Sequence, residues 1–70
     1  MSVSYKPLWK QLVDKELKRT DLIKLAGLST NIIAKLSKDQ YISLRSIEKI
    51  CMSLNCTPND IFTFVEKSNK

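Results

Sequence analysis

Apolar residues recur at helical spacing in successive stretches of this chain, and short polar turns separate these stretches. The first stretch predicts a helix over residues 7–16, with Pro7 at its first position. Proline is tolerated there because its missing N–H would have no partner in the helix anyway. The apolar stripe of this helix consists of Leu8, Trp9, Leu12 and Val13.

A second, shorter helix is predicted over residues 21–26. Thr20 is the expected N-cap, since its hydroxyl can accept a hydrogen bond from an N–H of the first turn. Gly27 follows at once and is the only glycine in the chain. Glycine suits the left-handed conformation that ends many helices, and Ser29 can then cap the next helix. Two short helices joined by so tight a turn predict a helix-turn-helix of about residues 20–38.

The third helix, over residues 30–38, is predicted to have one aliphatic side and one cationic side without any acid. Leu36 and Ile33 lie on the aliphatic side in a helical projection, with Ile32 at one edge of it. The opposite side carries Asn31, Ala34, Lys35 and Lys38. Amide, ammonium and methyl groups are the ones that contact base edges in the major groove, which admits one helix. The alternative is an ordinary surface helix with two solvated lysines.

The C-terminal part predicts a fourth helix over residues 44–54, capped by Ser43 and ended by Asn55. Its apolar face consists of Leu44, Ile47, Ile50, Cys51 and Leu54. Residues 57–60, TPND, predict the start of a fifth helix, with threonine as the cap and proline at the first position. The following stretch, IFTFVEK, has an alternative interpretation as a short strand that pairs with VSYK near the N-terminus.

Length and composition indicate one small domain over residues 1–70. The chain is 43% hydrophobic and 27% charged, which is typical of a folded protein rather than a disordered one. It has no apolar run near the roughly 20 residues that cross a bilayer, and no apolar N-terminal signal, so we expect a cytoplasmic protein. Twelve Lys/Arg against seven Asp/Glu give a net charge of +5. This excess favours an anionic partner, and nucleic acid is the commonest one.

The residues give little support to catalysis or metal binding. The chain has no histidine, and Cys51 and Cys56 alone cannot supply the four ligands of a tetrahedral zinc site. We interpret both as small apolar residues in a reducing compartment and expect no cofactor. There is no phosphate-binding glycine loop, and Asp14 and Glu16 would point apart on a helix, so we expect no enzyme. A core this thin also leaves little room for a small-molecule ligand.

The stretch TDLIKLAGLSTNIIAKL resembles the helix-turn-helix of the Cro/cI-like (XRE) family, in particular its small single-domain members. The matching residues are Leu22, Ile23, Gly27, Leu28, Ser29, Ile33 and Leu36. LNCTPNDIF and SYKPLWKQLVD also resemble segments of these members. The resemblance implies an all-α, compact, five-helix lambda-repressor-like DNA-binding domain with a central helix-turn-helix, and short terminal strands as a variant.

The resemblance further implies a sequence-specific transcriptional regulator, a repressor, which binds double-stranded DNA with the third helix in the major groove. By position, the expected base-reading residues are Thr30, Asn31, Lys35 and Ile32. The expected phosphate contacts are Arg19, Ser29, Lys38, Arg45 and Lys18. For Arg45 and Lys18 the alternative is a solvated side chain without a partner. Arg19 stands where many members have a glutamine, and a guanidinium can bind a phosphate more strongly through two N–H donors.

Proteins of this class usually bind near-palindromic sites as dimers, so we expect a homodimer. The predicted interface consists of Ile61, Phe62, Phe64 and Val65. The alternative is that these residues only cover the core. A competing hypothesis is a protein-interaction module such as an antitoxin, in which the same aromatic cluster binds a partner protein and DNA binding is secondary.

Overall fold

A computed structural model describes residues 2–66 of the chain. Within this range, four α-helices and one 3₁₀ helix lie between two short strands. The elements are β1 (Ser2–Ser4), α1 (Lys6–Asp14), α2 (Asp21–Ala26), α3 (Thr30–Ser37), α4 (Leu44–Leu54), the 3₁₀ helix (Pro58–Asp60) and β2 (Thr63–Val65). None of the helices in the described range has the length and apolar character that crossing a membrane requires.

The prediction of a fifth α-helix is wrong, and the strand alternative is confirmed. Pro58–Asp60 forms only a single 3₁₀ turn, in which Asp60 Oδ2 accepts a hydrogen bond from the Thr57 backbone N–H at 3.4 Å. β2 then pairs antiparallel with β1, with Val3 opposite Phe64. The chain becomes extended here because β-branched and aromatic residues favour a strand once a partner strand is present. The domain is therefore mostly helical with a two-stranded sheet, and not all-α.

Serine side chains cap two of the helices as predicted. The Oγ atoms of Ser29 and Ser43 accept hydrogen bonds from backbone N–H groups three residues later, at 3.3 and 3.2 Å. The predicted cap at Thr20 is wrong, because its backbone is already helical and its side chain makes no capping bond. The Asp21 carboxylate instead accepts a hydrogen bond from the Lys18 backbone N–H at 2.8 Å, which starts the turn before α2.

Residues with positive φ end the helices. Gly27 ends α2 at φ 66° and Asn55 ends α4 at φ 55°, both as predicted. Glu16 and Asp39 have φ values of 56° and 55°. They lie just beyond α1 and α3, which therefore end two residues and one residue earlier than the sequence predicts.

One apolar core joins the helices to the sheet. The largest fully buried side chains are Tyr5, Leu8, Leu22, Leu36, Ile50 and Ile61. Leu28 is 5% exposed and closes the core beneath the turn between α2 and α3, as predicted. Val13 and Leu44 are 74% and 80% exposed, although the helical period assigns them to apolar faces. The apolar face of each of these two helices is wider than the area that the neighbouring elements cover, so these two side chains stay in contact with solvent.

Hydrogen bonds between elements hold the helix-turn-helix on the rest of the domain. The Ser53 hydroxyl of α4 donates to the Leu25 carbonyl of α2 at 2.9 Å. A second bond joins α1 to the C-terminal segment, since the Leu8 backbone N–H donates to the Ile61 carbonyl at 3.2 Å. This N–H lies in the first turn of α1, where it has no partner within the helix. The Ile61 carbonyl, directly after the 3₁₀ helix, thus provides an acceptor for this backbone donor in the first turn of α1.

Candidate nucleic-acid interface

Helix α3 presents an exposed side along its whole length. The exposed residues are Thr30, Asn31, Ala34, Lys35 and Ser37, followed by Lys38 directly after the helix. The opposite side packs inward, because Leu36 is fully buried and Ile33 is half-buried against the core. Three of the four residues predicted to contact bases are therefore at the surface. The fourth, Ile32, is half-buried and packs partly against the core.

The exposed side of α3 has hydrogen-bonding groups and positive charge. None of the residues in Thr30–Ser37 is acidic, while Lys35 contributes a cation and Asn31 an amide that both donates and accepts. Ala34 adds only a methyl group to this side, so another surface can approach the helix backbone closely. A helix with this surface fits the major groove, which is about 12 Å wide.

The turn before α3 sets how the helix starts. Gly27 has φ 66° and ψ 35°, and a Cβ atom built on it would meet no atom within 4 Å. Its backbone conformation, rather than a lack of space, is what favours glycine there. Ser29 is extended and its Oγ accepts the Ile32 backbone N–H at 3.3 Å. Because the Ser29 Oγ is the acceptor in this bond, its hydroxyl proton stays available for a hydrogen bond to a phosphate oxygen.

Arg19 lies in the turn before α2, yet its side chain reaches two other elements. Its guanidinium carbon is 3.9 Å from the centroid of the Trp9 ring in α1. Its Nη1 donates a hydrogen bond to the Ser37 hydroxyl, the last residue of α3, at 2.9 Å. A predicted phosphate contact thus lies at the C-terminal end of the predicted recognition helix. The sequence pattern placed Trp9 only in the apolar stripe of the first helix and predicted no contact for Ser37, because no spacing pattern links residues in three separate elements.

The other residues predicted at phosphates are also exposed. Lys18 precedes α2, Lys38 follows α3, and Arg45 lies in the first turn of α4. Lys18 and Lys38 flank the helix-turn-helix at its start and its end, and Arg45 lies in the next helix. Their exposure permits contacts with a DNA backbone, which stay a prediction for each of the three.

Not all four residues of the predicted dimer surface are accessible in the structure. Ile61 has no exposed surface, so the prediction that it contacts a partner is wrong: its side chain belongs to the core. Phe62 is half-buried and packs edge-on against Phe64, with ring centroids 5.7 Å apart. Phe64 and Val65 remain 53% and 43% exposed. They are consecutive residues of β2, so their side chains point to opposite faces of the two-stranded sheet, and both faces are open here because all of β2 is exposed.

An apolar groove beside β2 includes residues that the sequence pattern did not single out. We call it the β2 groove; it is lined by Val3, Tyr5, Tyr41, Ile42, Leu44, Ile47, Phe62 and Phe64. Tyr41 and Leu44 are 67% and 80% exposed. The helical period placed Leu44 on the core face of α4, and only the path of the preceding loop shows that it lies at the rim of this groove.

Both cysteines are free and half-buried. Burial raises the pKa of the Cys51 thiol above its ordinary value, and the neighbouring Cys56 raises it further. A thiol with a raised pKa is a weaker nucleophile and a weaker metal ligand at neutral pH. Within residues 2–66, no three His, Cys, Asp or Glu side chains come together to form a metal site.

The fold and the exposed basic side of α3 define a helix-turn-helix DNA-binding domain. The chain belongs to the Cro/C1-type HTH DNA-binding domain family, whose model matches residues 7–67, and this confirms the resemblance found in the sequence. The structure is similar to the crystal structure of the transcriptional regulator VanUg, Form II, with a TM-score of 0.90 and 38% sequence identity. The match covers 94% of this chain and 88% of that chain. No curated protein compared with this chain matches it.

Proposed function

We propose that this protein is a sequence-specific transcriptional regulator, a repressor, that binds double-stranded DNA with α3 in the major groove. The observation that carries the proposal is the exposed, acid-free side of α3, with Asn31 and Lys35 one helical turn apart and the small Ala34 beside them. Membership of a DNA-binding family and the similarity to a transcriptional regulator support it. Since the proposed target is double-stranded DNA within the cell, the proposed location is the cytoplasm. A single domain over residues 1–70 is part of the same proposal.

We propose two kinds of base contact for the residues of α3, namely hydrogen bonds to base edges and apolar contacts with methyl groups. Asn31 can make two hydrogen bonds to an adenine, and Lys35 can reach the acceptors of a guanine. Thr30 and the exposed part of Ile32 are proposed to contact thymine methyl groups. Each well-formed pair of hydrogen bonds to a base contributes about 1–3 kcal/mol of discrimination against the wrong base. Specificity therefore depends on a few side chains.

Contacts to the sugar-phosphate backbone would fix the register of α3 in the groove. We assign these to Arg19, Ser29, Lys38, Arg45 and Lys18, which are all exposed. Such contacts add affinity for any DNA sequence and carry no base information. Each neutralised phosphate releases counterions, so the affinity falls with increasing salt concentration.

A homodimer would bring two copies of α3 to half-sites about 34 Å apart. The proposed contact surface is the exposed part of β2 together with the rim of the β2 groove, that is, Phe64, Val65, Tyr41 and Leu44, with Phe62 beneath them. A single domain with few base contacts has limited specificity, which is the physical reason to expect pairing of two copies.

The proposal is tested by selecting bound duplexes from a random oligonucleotide pool and comparing variants on the selected site. We expect Asn31→Ala and Lys35→Ala to relax the base preference at one or two positions each. Lys10→Ala is the matched control, since it removes one exposed charge from α1, outside the predicted interface. The base-reading role of Lys35 would be excluded if the wild type and Lys35→Ala showed the same preference.

A second candidate function is a protein-interaction module such as an antitoxin. The exposed apolar rim of the β2 groove favours it, because large apolar patches on small domains often bind other proteins. Stable co-purification with one partner protein, together with no binding to any duplex at low salt, would support this function over the first.

A further inference from the structure

The side chain of Arg19 is restrained from two directions. The Trp9 ring covers one face of the guanidinium, with 3.9 Å between the guanidinium carbon and the ring centroid. The Ser37 hydroxyl accepts a hydrogen bond from Nη1 at 2.9 Å. Arg19 itself is exposed and Trp9 is half-buried. Both contacts therefore favour one rotamer of the long arginine side chain at the surface.

This arrangement leaves the guanidinium able to bind an anion. A guanidinium has five N–H donors. Within residues 2–66, Arg19 uses one of them, in its hydrogen bond to the neutral Ser37 hydroxyl. Neither the ring nor the hydroxyl neutralises its charge. A phosphate that arrives meets a cation whose rotamers are already restricted, so less conformational entropy is lost on binding.

We propose that Trp9 and Ser37 are positioning residues that hold the Arg19 guanidinium in place for a DNA phosphate. This inference rests on the proposed DNA-binding function. Ser37 is part of α3, so the hydrogen bond ties the phosphate contact to the helix that reads the bases. Trp9 ties the same cation to α1. The position of the Arg19 guanidinium, which contacts the phosphate, relative to the base-reading side of α3 is therefore set before DNA binds.

A measurement on the free protein tests the geometry without DNA. Protons of Arg19 that lie over the Trp9 ring should show upfield ring-current shifts in the NMR spectrum. Trp9→Leu should remove these shifts, and Trp9→Phe should retain a smaller part of them. Unshifted Arg19 resonances in the wild type would overturn the inference, whatever the protein does with DNA.

A double-mutant cycle tests the consequence for binding. The probes are a duplex of about 30 base pairs from the random-pool selection, which is long enough for the two half-sites of a dimer, and a scrambled duplex of the same length and composition. Trp9→Leu and Ser37→Ala should each weaken binding to both duplexes by about 2–5-fold for each copy of the protein bound, the size expected of an exposed cation–π contact or a single hydrogen bond. In an Arg19→Ala background, the same two substitutions should have no further effect.

The Arg19→Ala background separates positioning from folding. If Trp9→Leu acted by loosening α1, it would weaken binding equally in both backgrounds, and this result would overturn the inference. Ser37→Ala provides a second variant at an exposed position, where no loss of folding is expected. Trp9→Phe should restore part of the affinity, because phenylalanine keeps an aromatic face.

The salt dependence of binding separates the inference from the function on which it rests. Trp9→Leu and Ser37→Ala keep the charge of Arg19, so the slope of log K against log salt should match that of the wild type. Arg19→Ala should lower the slope by about one for each copy of the protein bound, and so by about two for a dimer. A wild-type protein that bound neither duplex would overturn the proposed function, whereas normal binding with additive effects in the cycle would overturn only the positioning role.

Discussion

The Tyr5 hydroxyl donates a hydrogen bond to the Gln40 carbonyl, 35 residues further along the chain, at a distance of 2.7 Å. The backbone N–H of Tyr5 donates to Asp39 Oδ1 at 3.1 Å. Tyr5 is 2% exposed. These bonds join the residue after β1 to the loop that follows α3. The C-terminal end of the proposed recognition helix is thus held by a residue near the N-terminus.

Tyr5→Phe should destabilise the domain by about 1 kcal/mol, the usual loss when one intramolecular hydrogen bond is removed. The ring stays in the core, so the cost comes from the hydroxyl alone. Urea denaturation followed by circular dichroism measures the change in the free energy of unfolding. Tyr41→Phe is the matched control, because Tyr41 is 67% exposed and should tolerate the loss of its hydroxyl. Equal stability of the Tyr5→Phe variant and the wild type would contradict the role of this bond.

Stability at high pH should depend on the same residue. Burial raises the pKa of Tyr5 above its ordinary value of 10.0, and the Asp39 carboxylate raises it further. The folded protein therefore holds the phenolic proton more tightly than the unfolded chain does. The resulting contribution to the free energy of unfolding is complete below about pH 10, and it is lost as the pH rises through the folded-state pKa of Tyr5. Thermal unfolding between about pH 8 and pH 12 should show a steeper loss for the wild type than for Tyr5→Phe. Parallel curves would contradict the shifted pKa.

Gly27→Ala should cost about 1–2 kcal/mol, since a residue with a Cβ atom is strained at φ 66°. Open space around the Cβ position excludes a clash as the cause. Gly27→Asn is the matched comparison and should cost less, because asparagine tolerates the left-handed region. Both values come from urea denaturation. The argument from backbone conformation fails if alanine proves no worse than asparagine.

Ser29→Ala should cost about 1 kcal/mol through loss of the cap on α3. Thr20→Ala is a sharp control, because Thr20 also precedes a helix but makes no capping bond. It should change the free energy of unfolding very little. A similar loss for both variants would show that capping does not explain the effect at Ser29.

Phe64→Lys should dissociate the proposed homodimer, because it places a charge on the exposed apolar surface of β2. Val13→Lys is the control; Val13 is 74% exposed on α1 and does not line the β2 groove. Sedimentation velocity at micromolar concentration, with and without DNA, measures the state of each variant. A wild-type protein that stays monomeric on its selected DNA site would rule the dimer out.

Helix caps were predictable from the sequence where a side chain acts on backbone groups within three residues. Ser29 and Ser43 behave in this way, whereas Asn55 ends α4 through its left-handed backbone conformation. The exposed side of α3 was predictable for a similar reason, because helical periodicity alone separates Lys35 from Leu36. Thr20 shows the limit of local rules, since the residue type favours a cap but the preceding turn already continues the helical backbone.

The sequence by itself determined the helix-turn-helix and the basic surface of α3, because glycine, serine and the apolar period act over a few residues. Only the tertiary structure decided that Phe64 belongs to a strand, since that required Val3 to arrive opposite it. It also decided that Ile61 is buried and that Arg19 lies between Trp9 and Ser37. These contacts join residues far apart in the chain, and their energies exist only once the core has brought the elements together.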